Sequence, residues 1–277
     1  MRLKYTAAWV GFTAAATVAV SACGSGGVKT ATSAVNSADK IMAVLSRATD
    51  RTDQLGSAEV RMSTDTGTGT PVTLNGTYSW GDGVAVDVLM DTKAANMQAL
   101  QHRATIRALF VKGAYYYNVD PQTSGPLKGK QWMKVDASVL FGSKGAQDFD
   151  GGSAGNPVAA MKYLKYAKDV KDLGKETVDG QRTTRYRAVV HRAEMGKYKD
   201  VFSSDGMKAL TGGSDSVTMD VWIGAKDLPV RLKDQFGKAT VTMDFKKFGA
   251  TAPVKAPPAG QTADLTKAIE NSRKQQG

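Results

Sequence analysis

The sequence predicts an α+β domain in which a large curved antiparallel β-sheet wraps around helices and leaves a hydrophobic cavity. Most of the chain beyond residue 56 alternates apolar and polar residues, in segments separated by Gly, Asn and Asp turns. Only two or three stretches have the 3.6-residue period of an amphipathic helix. Clean alternation gives a sheet one apolar face, and so few helices cannot cover all of it. The apolar concavity that remains is a candidate ligand site.

Composition narrows the class of protein. The chain has 277 residues, of which 42% are hydrophobic, and a formal net charge of +11. This length buries a sizeable core without disulfides, and Cys23 is the only cysteine. The basic residues are dispersed and accompany no nucleic-acid-binding motif, so we expect no nucleic-acid partner. Proximity to an anionic membrane surface explains the excess charge more simply.

The N-terminus has the pattern of a secretory signal. Arg2 and Lys4 precede an uncharged run from 5 to 20, and the sequence Val-Ser-Ala-Cys follows at 20–23. This stretch resembles a bacterial lipobox, whose cysteine receives a diacylglycerol and becomes the mature N-terminus. We therefore predict a lipoprotein signal peptide at 1–22 and lipidation, including palmitate, at Cys23. A plain signal peptide or an uncleaved anchor remain alternatives, although about 16 apolar residues are few for a membrane span.

The remaining chain divides into three parts. Residues 23–37 are rich in Gly, Ser, Thr and Ala and are predicted to be a flexible tether after the lipidated cysteine. Residues 38–249 form the predicted folded domain, which opens with an amphipathic helix at 38–55. Residues 250–277 form a Pro- and Ala-rich tail, either a strap or a disordered end, with a weak helix at 264–272.

About ten strands are predicted, each from period-2 alternation between turn signals. They lie at 59–62, 72–80, 84–90, 106–111, 114–119, 131–135, 175–178, 184–191, 217–223, 230–232 and 241–245. A second helix is predicted from Asn156 to Asp172, because Asn and Pro are favourable at its start and Gly174 at its end. The stretch 194–210 fits either a helix or a flap.

Three stretches carry a resemblance to a known family. They are Gly-Lys-Glu-Thr-Val-Asp-Gly-Gln-Arg-Thr-Thr-Arg-Tyr at 174–186, Asp-Val-Trp-Ile at 220–223 with Leu-Pro-Val-Arg at 228–231, and Phe-Gly at 248–249 before Val254 and the Pro pair at 257–258. Together they resemble the actinobacterial LolA-like lipoproteins of the LppX/LprG type, which have the outer-membrane lipoprotein carrier superfamily fold. The resemblance covers most of residues 36–262.

The resemblance implies a half-barrel of antiparallel sheet around a central helix, enclosing a hydrophobic cavity. It also implies binding of acylated lipids or glycolipids and their movement within the cell envelope. The segments 142–155 and 194–213 depart from the family pattern, which leaves the shape of the cavity mouth open.

Alternation along the strands supplies the candidate cavity-lining residues. They are apolar or aromatic and share the predicted inward faces of their strands. The candidates are Val84, Val86, Val88, Tyr186, Val190, Val217, Met219, Val221, Val241, Met243 and Phe245. Many of them could equally be ordinary core residues.

Sequence patterns for catalysis and metal binding are weak. The nucleophile-elbow pattern at 151–155 lacks the flanking buried strand and helix that this chemistry needs. The calcium-loop-like start at 148–151 lacks its later acidic ligand. His102 and His191 lie on different predicted elements, without a companion ligand motif. We expect no enzymatic activity, no cofactor and no metal.

Two functions from different classes follow. The first is a monomeric lipoprotein, anchored at the outer face of the cell membrane, that carries or presents an acylated lipid or glycolipid, with a membrane transporter as a candidate partner. The second is an anchored, non-enzymatic interaction module without a ligand, accessory to an exporter, a sensor or an envelope enzyme. An apolar void of a few hundred cubic ångströms favours the first.

Overall fold

A computed structural model describes residues 26–67, 70–150, 161–162, 164, 167, 169–194, 212–249 and 251–276. The chain divides into two units, 1–36 and 37–277. The predicted signal peptide, Cys23, the Gly-rich stretch 151–155 and nearly all of the predicted helix or flap at 194–210 lie outside the described residues. Among the helices of the described residues, none is both long and apolar enough to span a membrane.

Three α-helices, three short 3-10 helices and twelve strands have their bounds among the described residues, and the 3-10 helices are Arg192–Glu194, Ala225–Asp227 and Ala259–Gln261. The helices are α1 (Gly26–Leu55), α2 (Ala137–Asp150) and α3 (Thr266–Gln276). The strands are β1 (Ser57–Asp65), β2 (Val72–Ser79), β3 (Ala85–Asp91), β4 (Thr105–Val111), β5 (Ala114–Asn118), β6 (Trp132–Asp136), β7 (Val170–Val178), β8 (Gln181–His191), β9 (Ser216–Ile223), β10 (Pro229–Phe236), β11 (Ala239–Phe248) and β12 (Thr262–Asp264). Each predicted strand therefore forms, with small shifts of its ends.

The twelve strands form one open sheet. Their order is β12-β6-β5-β4-β3-β2-β1-β11-β10-β9-β8-β7. Neighbouring strands are antiparallel except β12 and β6, which are parallel. The sheet is thus larger than the ten or so strands predicted, and one of its edge pairs is parallel. Sequence alternation could not show this pair, because β12 has only three residues.

One face of the sheet, here called the inner face, packs against α1. It carries a row of paired residues that runs from Ala58 through Tyr78 and Val86 to Phe110. Paired residues of antiparallel strands point to the same face, so the register fixes this orientation. Leu45 and Ala48 of α1 belong to the same core cluster, and both are buried. The amphipathic stripe predicted for the first helix therefore covers the apolar face of the sheet.

Helix α1 begins at Gly26, which corrects the tether predicted for residues 23–37. The tether prediction rested on small residues without bulky apolar positions, and such residues show no amphipathic period. They include Ala31 and Ala34 and no proline. Once a helix is nucleated, each added residue contributes a hydrogen bond, and Ala is the best helix former. The helix therefore extends well before Ala38, where its apolar stripe starts.

The second helix was predicted to continue to Asp172, which is wrong. Strand β7 begins at Val170, and Val170 to Asp172 pair with Ala188 to Tyr186 of β8. Gly174 lies inside this strand at a break in register, with φ of +92°. Cross-strand pairing with β8 outweighs the helical spacing of the local apolar residues.

The tail beyond residue 250 is a strap, one of the two forms predicted. Strand β11 neighbours β1, whereas β12 pairs with β6 near the far edge, so residues 249–261 must cross the strands between them. Ala263, Leu265 and Ile269 then pack in a cluster with Val135 of β6. The tail is therefore part of the folded domain, which corrects the predicted domain end at 249.

Gly76 lies where the backbones of β2 and β3 come closest. A Cβ atom at this position would lie 2.1 Å from the carbonyl oxygen of Asp87 and 2.8 Å from Cα of Val88. Because both atoms are backbone, relief requires the strands to separate. We expect Gly76→Ala to lower the free energy of unfolding by about 1–3 kcal/mol, measured by urea denaturation.

Gly260 supplies the matched control for this prediction, because a Cβ there meets nothing within 4 Å. Gly260→Ala should change stability by less than about 0.5 kcal/mol. Equal effects of the two substitutions would show that the close approach at Gly76 is not the cause.

The opposite face, here called the outer face, carries an ionic cluster over an aromatic ring. Asp220 is 4% exposed and accepts hydrogen bonds from Arg185 (2.8 Å) and from Arg187 (2.7 and 2.8 Å). The guanidinium of Arg185 lies 4.7 Å from the ring centroid of Trp222, and that of Arg231 lies 5.9 Å from it. This cluster links β8, β9 and β10 across the outer face.

Candidate functional site

The inner face and the helix that covers it form the candidate site. A cleft of about 370 Å³ lies between α1 and residues 161–164. Its walls are mainly apolar, with a polar rim. The lining residues are Met42, Leu45, Ser46, Thr49, Asp50, Met161, Lys162 and Leu164. Its volume falls in the range of ordinary small-ligand pockets.

The floor of this cleft belongs to the core of the domain. Leu45, Met161 and Leu164 are each no more than 2% exposed and lie in the same cluster as the inner-face residues of the sheet. At the rim, Nζ of Lys162 lies 3.1 Å from a carboxylate oxygen of Asp53 on α1. The cleft thus leads from a charged rim to the apolar interior.

Trp80 fixes the C-terminal end of α1 against the sheet. Its indole Nε1 donates a hydrogen bond to the carbonyl oxygen of Thr52 at 3.1 Å. The ring lies 6.4 Å from Tyr78 and meets Phe248 edge-on at 6.5 Å between centroids. The backbone N–H groups of Trp80 and Gly81 both donate to the carbonyl of Gly56. The helix is therefore held at this end by both packing and hydrogen bonds.

Aromatic side chains pack against one another on the inner face of β4 and β5. Phe110 and Tyr115 lie 4.8 Å apart between centroids, and Tyr115 stacks on Tyr117 at 6.2 Å. Burial raises the pKa of Tyr78, Tyr115 and Tyr117 above the ordinary value. These hydroxyls are neutral at physiological pH, so this part of the inner face presents large apolar surfaces without charge.

The structure places the predicted cavity-lining residues on the inner face or among its apolar clusters. Eight are buried in the main core cluster: Val84, Tyr186, Val190, Val217, Met219, Val221, Met243 and Phe245. Val86 and Val241 pack against that cluster and remain partly exposed, and Val88 lies in a neighbouring cluster on β3. None of the eleven lines the cleft beside α1. Their contact with a ligand stays a prediction.

A larger cavity of about 750 Å³ lies under the C-terminal strap. Its lining includes a row of paired residues on the outer face of the sheet, Ser57, Ser79 and Ala85. Each is the sequence neighbour of a residue in the inner-face row. Thr251, Pro253 and Val254 of the strap form another part of its lining. Val84 is the one predicted residue that this cavity touches. It is a mixed polar and apolar groove and does not open on the row that packs against α1.

Asp234 on β10 is an acidic residue on the inner face. It pairs with Met219 of β9 and with Val241 of β11, both of which belong to or pack on the main core cluster. Its Oδ1 atom is shielded from solvent and has no hydrogen-bond partner among the described residues. Burial, with a smaller contribution from the charge of Asp220, raises the pKa of Asp234 to about 7.

This raised pKa predicts a stability change with pH. The folded state holds the Asp234 proton more tightly than the unfolded chain, so the unfolded chain ionises first as pH rises. The contribution of Asp234 to the free energy of unfolding is therefore fully present at about pH 4. It decreases by up to about 4 kcal/mol as the pH rises through about 7. Asp234→Asn has no such proton to lose.

The measurement is urea denaturation of the wild type and of Asp234→Asn at several pH values. Relative to the variant, the wild type should lose stability steadily between about pH 4.5 and 7.5. A difference between the two proteins that stays constant across this range would show that the Asp234 carboxyl is not held in its neutral form.

The sequence pattern did not identify the residues that line the cleft, and it did not predict that Asp234 is buried. Met42, Ser46 and Thr49 lie beside the predicted apolar stripe of α1, and their spacing was a usable signal. Met161 lies in a segment whose course depends on long-range packing. Asp234 lies in the polar run Lys-Asp-Gln at 233–235, which reads as exposed until the strand register is known.

Among the described residues, no group of three or more His, Cys, Asp or Glu side chains could hold a metal ion. His102 is 85% exposed at its side chain and contacts Asp120 through Nδ1 at 2.7 Å. His191 lies at the end of β8, where it pairs with Ser216. The structure therefore does not bring the two histidines into one site.

The architecture defines the class of fold. A single twelve-stranded sheet with helices packed on its inner face is similar to the fold of the lipoprotein LppX. The crystal structure of the lipoprotein LppX from Mycobacterium tuberculosis superposes with a TM-score of 0.50 at 15% sequence identity, covering 78% of this chain and 99% of that one.

Two curated proteins of Streptomyces are related in sequence. "Putative lipoprotein SCO4650" from Streptomyces coelicolor is 28% identical over 225 residues, which is 77% of this chain and 71% of the relative. An uncharacterised 31.2 kDa protein of Streptomyces griseus, encoded between rplA and rplJ, is 25% identical over 245 residues, covering 83% and 80% of the two chains. No protein-family profile matches this chain.

Proposed function

We propose that this protein is a membrane-anchored lipoprotein that binds an acylated lipid or glycolipid in a hydrophobic cleft beside α1 and carries or presents it in the cell envelope. The observation that carries the proposal is the cleft of about 370 Å³ between α1 and Met161, Lys162 and Leu164, whose lining includes the buried core residues Leu45, Met161 and Leu164. The LppX-type fold supports the same function through the resemblance described above.

The mechanism is burial of a hydrocarbon chain. Each methylene removed from water contributes about 0.8 kcal/mol, so an acyl chain supplies ample affinity before ordering costs. Met42 and Met161 suit such a site, because flexible thioether side chains adapt to ligands of different shape. The part of the chain that the structure describes shows no cluster of metal-ligating residues. We propose a non-enzymatic carrier, acting as a monomer and exchanging lipid with a membrane or a membrane transporter.

Blocking the cleft tests this proposal. Ser46 lines the cleft from the exposed side of α1, so Ser46→Phe should fill it with little change to the core. For the chain from Gly24 to Gly277, we expect a fluorescent acyl lipid to bind the wild type roughly tenfold more tightly than this variant. Ala43→Phe, exposed on α1 but not among the residues that line the cleft, is the control and should bind like the wild type.

Either of two results would contradict the proposal: no lipid binding by the wild-type domain, or equal binding by Ser46→Phe and the wild type. Circular dichroism of each variant, compared with that of Ala43→Phe, separates loss of binding from loss of fold.

Anchoring at Cys23 is a separate part of the proposal, supported by the lipobox pattern and by the name of the Streptomyces coelicolor relative. Two acyl chains give stable membrane attachment, whereas a single weak signal does not. We expect Cys23→Ala to move the protein from the membrane fraction to the soluble fraction with its fold intact. Ser21→Ala, which keeps the cysteine, is the control. A Cys23→Ala protein that stays in the membrane would contradict lipidation at this residue.

A further inference from the structure

The outer face of the sheet is basic across the strands from β7 to β1. Two neighbouring rows of cross-strand pairs lie on this part of the face. They hold two carboxylates, Asp220 and Asp244, and six cations, here called the basic patch. The six are Lys171, Arg187 and Lys233 in one row and Arg185, Arg231 and Arg61 in the other. Six adjacent strands contribute to the two rows, so the surface is about 24 Å wide.

The negative charge of this surface lies beneath the positive charge. The side chains of Asp220 and Asp244 are 5% and 12% exposed, whereas that of Arg187 is 42% exposed. Asp220 accepts hydrogen bonds from Arg185 and Arg187, and Asp244 accepts one from Arg231. The charge that this surface presents to solvent is therefore positive.

Three cations of the basic patch are not used inside the protein. Lys171, Lys233 and Arg61 make no ion pair or side-chain hydrogen bond with the residues that the structure describes. They lie on β7, β10 and β1, so they are spread across the width of the patch. Lys171 and Arg61 are exposed, and Lys233 is half-buried. An anionic surface laid over the patch meets these charges without breaking an internal pair.

The form of the patch suits an extended surface better than a small ligand. None of its residues lines either of the two cavities described above. Val189 lies two residues from Arg187 and Leu173 two residues from Lys171, and both are exposed apolar side chains. An anionic bilayer offers negative charge over its whole plane, with an apolar layer beneath the headgroups that such side chains can enter.

We propose that the basic patch docks the protein on an anionic phospholipid membrane, with the outer face of the sheet against the headgroups. The inference rests on the membrane anchoring of the proposed function, because a lipid anchor keeps the membrane surface within reach of the patch. Helix α1 and the cleft beside it lie on the inner face, so the sheet stands between the cleft and the docked membrane. The docked protein presents a bound lipid away from the membrane that anchors it.

The test is amine labelling of the full-length lipidated protein on vesicles. The protein is inserted into vesicles of phosphatidylcholine, alone or mixed with phosphatidylglycerol, and treated briefly with the membrane-impermeant reagent sulfosuccinimidyl acetate. Mass spectrometry then gives the acetylation of each lysine. We expect Lys171 and Lys233 to react about tenfold more slowly on the vesicles with phosphatidylglycerol, and high salt to remove this protection. Lys93, Lys128 and Lys267, exposed and outside the patch, are internal controls and should change by less than about twofold.

Charge-removing substitutions locate the effect. Arg61→Gln and Lys171→Gln, made together, remove two exposed cations without breaking an ion pair of the described residues. Each basic residue near an anionic surface contributes about fivefold to binding, so the protection of Lys233 should fall below about twofold. Lys93→Gln with Lys128→Gln makes the same change in net charge outside the patch. This matched control should keep the wild-type protection of Lys233.

Flotation of the vesicles separates docking from anchoring. Equal acetylation of Lys171 and Lys233 on both kinds of vesicle, with the protein floating with both, overturns the docking patch and leaves the anchor in place. Flotation with phosphatidylglycerol vesicles but not with phosphatidylcholine supports the patch and contradicts the anchor, and flotation with neither overturns both. Protection by polyglutamate but not by phosphatidylglycerol overturns the membrane in favour of an acidic protein partner.

Discussion

Replacing Asp220 with alanine should lower the free energy of unfolding by about 3 kcal/mol or more. Its side chain is 5% exposed and accepts hydrogen bonds from two guanidinium groups, those of Arg185 and Arg187. Burial alone would raise the pKa of Asp220, but the hydrogen bonds from Arg187 and Arg185 hold this pKa below its ordinary value. Removing the carboxylate takes away the Asp220 ion pairs of both cations, although Arg185 keeps its 3.9 Å contact with Glu176 and its position over the Trp222 ring.

Asp87→Ala is the matched control for this prediction. Asp87 also binds an arginine through two hydrogen bonds, from Nε (2.8 Å) and a terminal nitrogen (2.6 Å) of Arg107. This pair is exposed, so its removal should cost only about 0–1 kcal/mol. Urea denaturation of the three proteins measures both effects. Equal losses in the two variants would mean that burial of the Asp220 cluster contributes nothing to stability.

Replacing Trp80 with alanine should lower the free energy of unfolding by about 3–5 kcal/mol. The side chain is 5% exposed and joins α1 to the sheet through its contacts with Tyr78 and Phe248 and its hydrogen bond to Thr52. Loss of the indole leaves a void at the C-terminal end of α1 and an unpaired carbonyl. Because this helix forms one wall of the cleft, lipid binding should weaken as well.

Trp80→Phe separates packing from hydrogen bonding. Phenylalanine keeps most of the apolar contact but cannot donate to Thr52, so this variant should lose only about 1–2 kcal/mol. Urea denaturation followed by circular dichroism gives both values without relying on the fluorescence of the replaced tryptophan. A loss of less than about 1 kcal/mol in Trp80→Ala would show that α1 is held mainly elsewhere.

Sequence pattern predicted the strands well because each exposes one side and buries the other. Strand β9 alternates between two sets of residues. The inner face carries Val217, Met219 and Val221, and the outer face carries Thr218 and Asp220. The period of two follows directly from strand geometry, so it is visible in the sequence without any knowledge of the neighbouring strands.

In strand β10, alternation alone does not assign every residue to the correct face of the sheet. Val230 and Leu232 are two residues apart, so alternation alone would place them on one strand face, yet Val230 packs with Val178 and Trp222 whereas Leu232 lies in the main core cluster. The register of β10 against β9 shifts between Pro229 and Arg231. A bulge of this kind changes which residues point inward, and it is set by pairing with β9. Asp234 lies two residues beyond Leu232 and shares its inward side, so alternation agrees with its position, and it was missed because it stands between the polar residues Lys233 and Gln235.

The candidate site was harder to predict than the fold. Alternation names residues that point inward, but it cannot tell a residue packed against a helix from one that borders an empty volume. That distinction depends on where α1 and residues 161–164 lie over the sheet. The cleft is therefore bounded by Met42 and Ser46 of the helix, whereas the sequence pattern had favoured strand residues such as Val190 and Val221.

The most direct test of lipid carriage is to identify what the protein holds when it is isolated. The chain from Gly24 to Gly277, exported in its native host with a cleavable signal and purified without detergent, is examined by native mass spectrometry and its organic extract is analysed for lipids. We expect a bound acylated lipid or glycolipid, at a lower level in Ser46→Phe than in Ala43→Phe. A folded protein with no bound lipid, and with no uptake of added acylglycerol, would contradict the account.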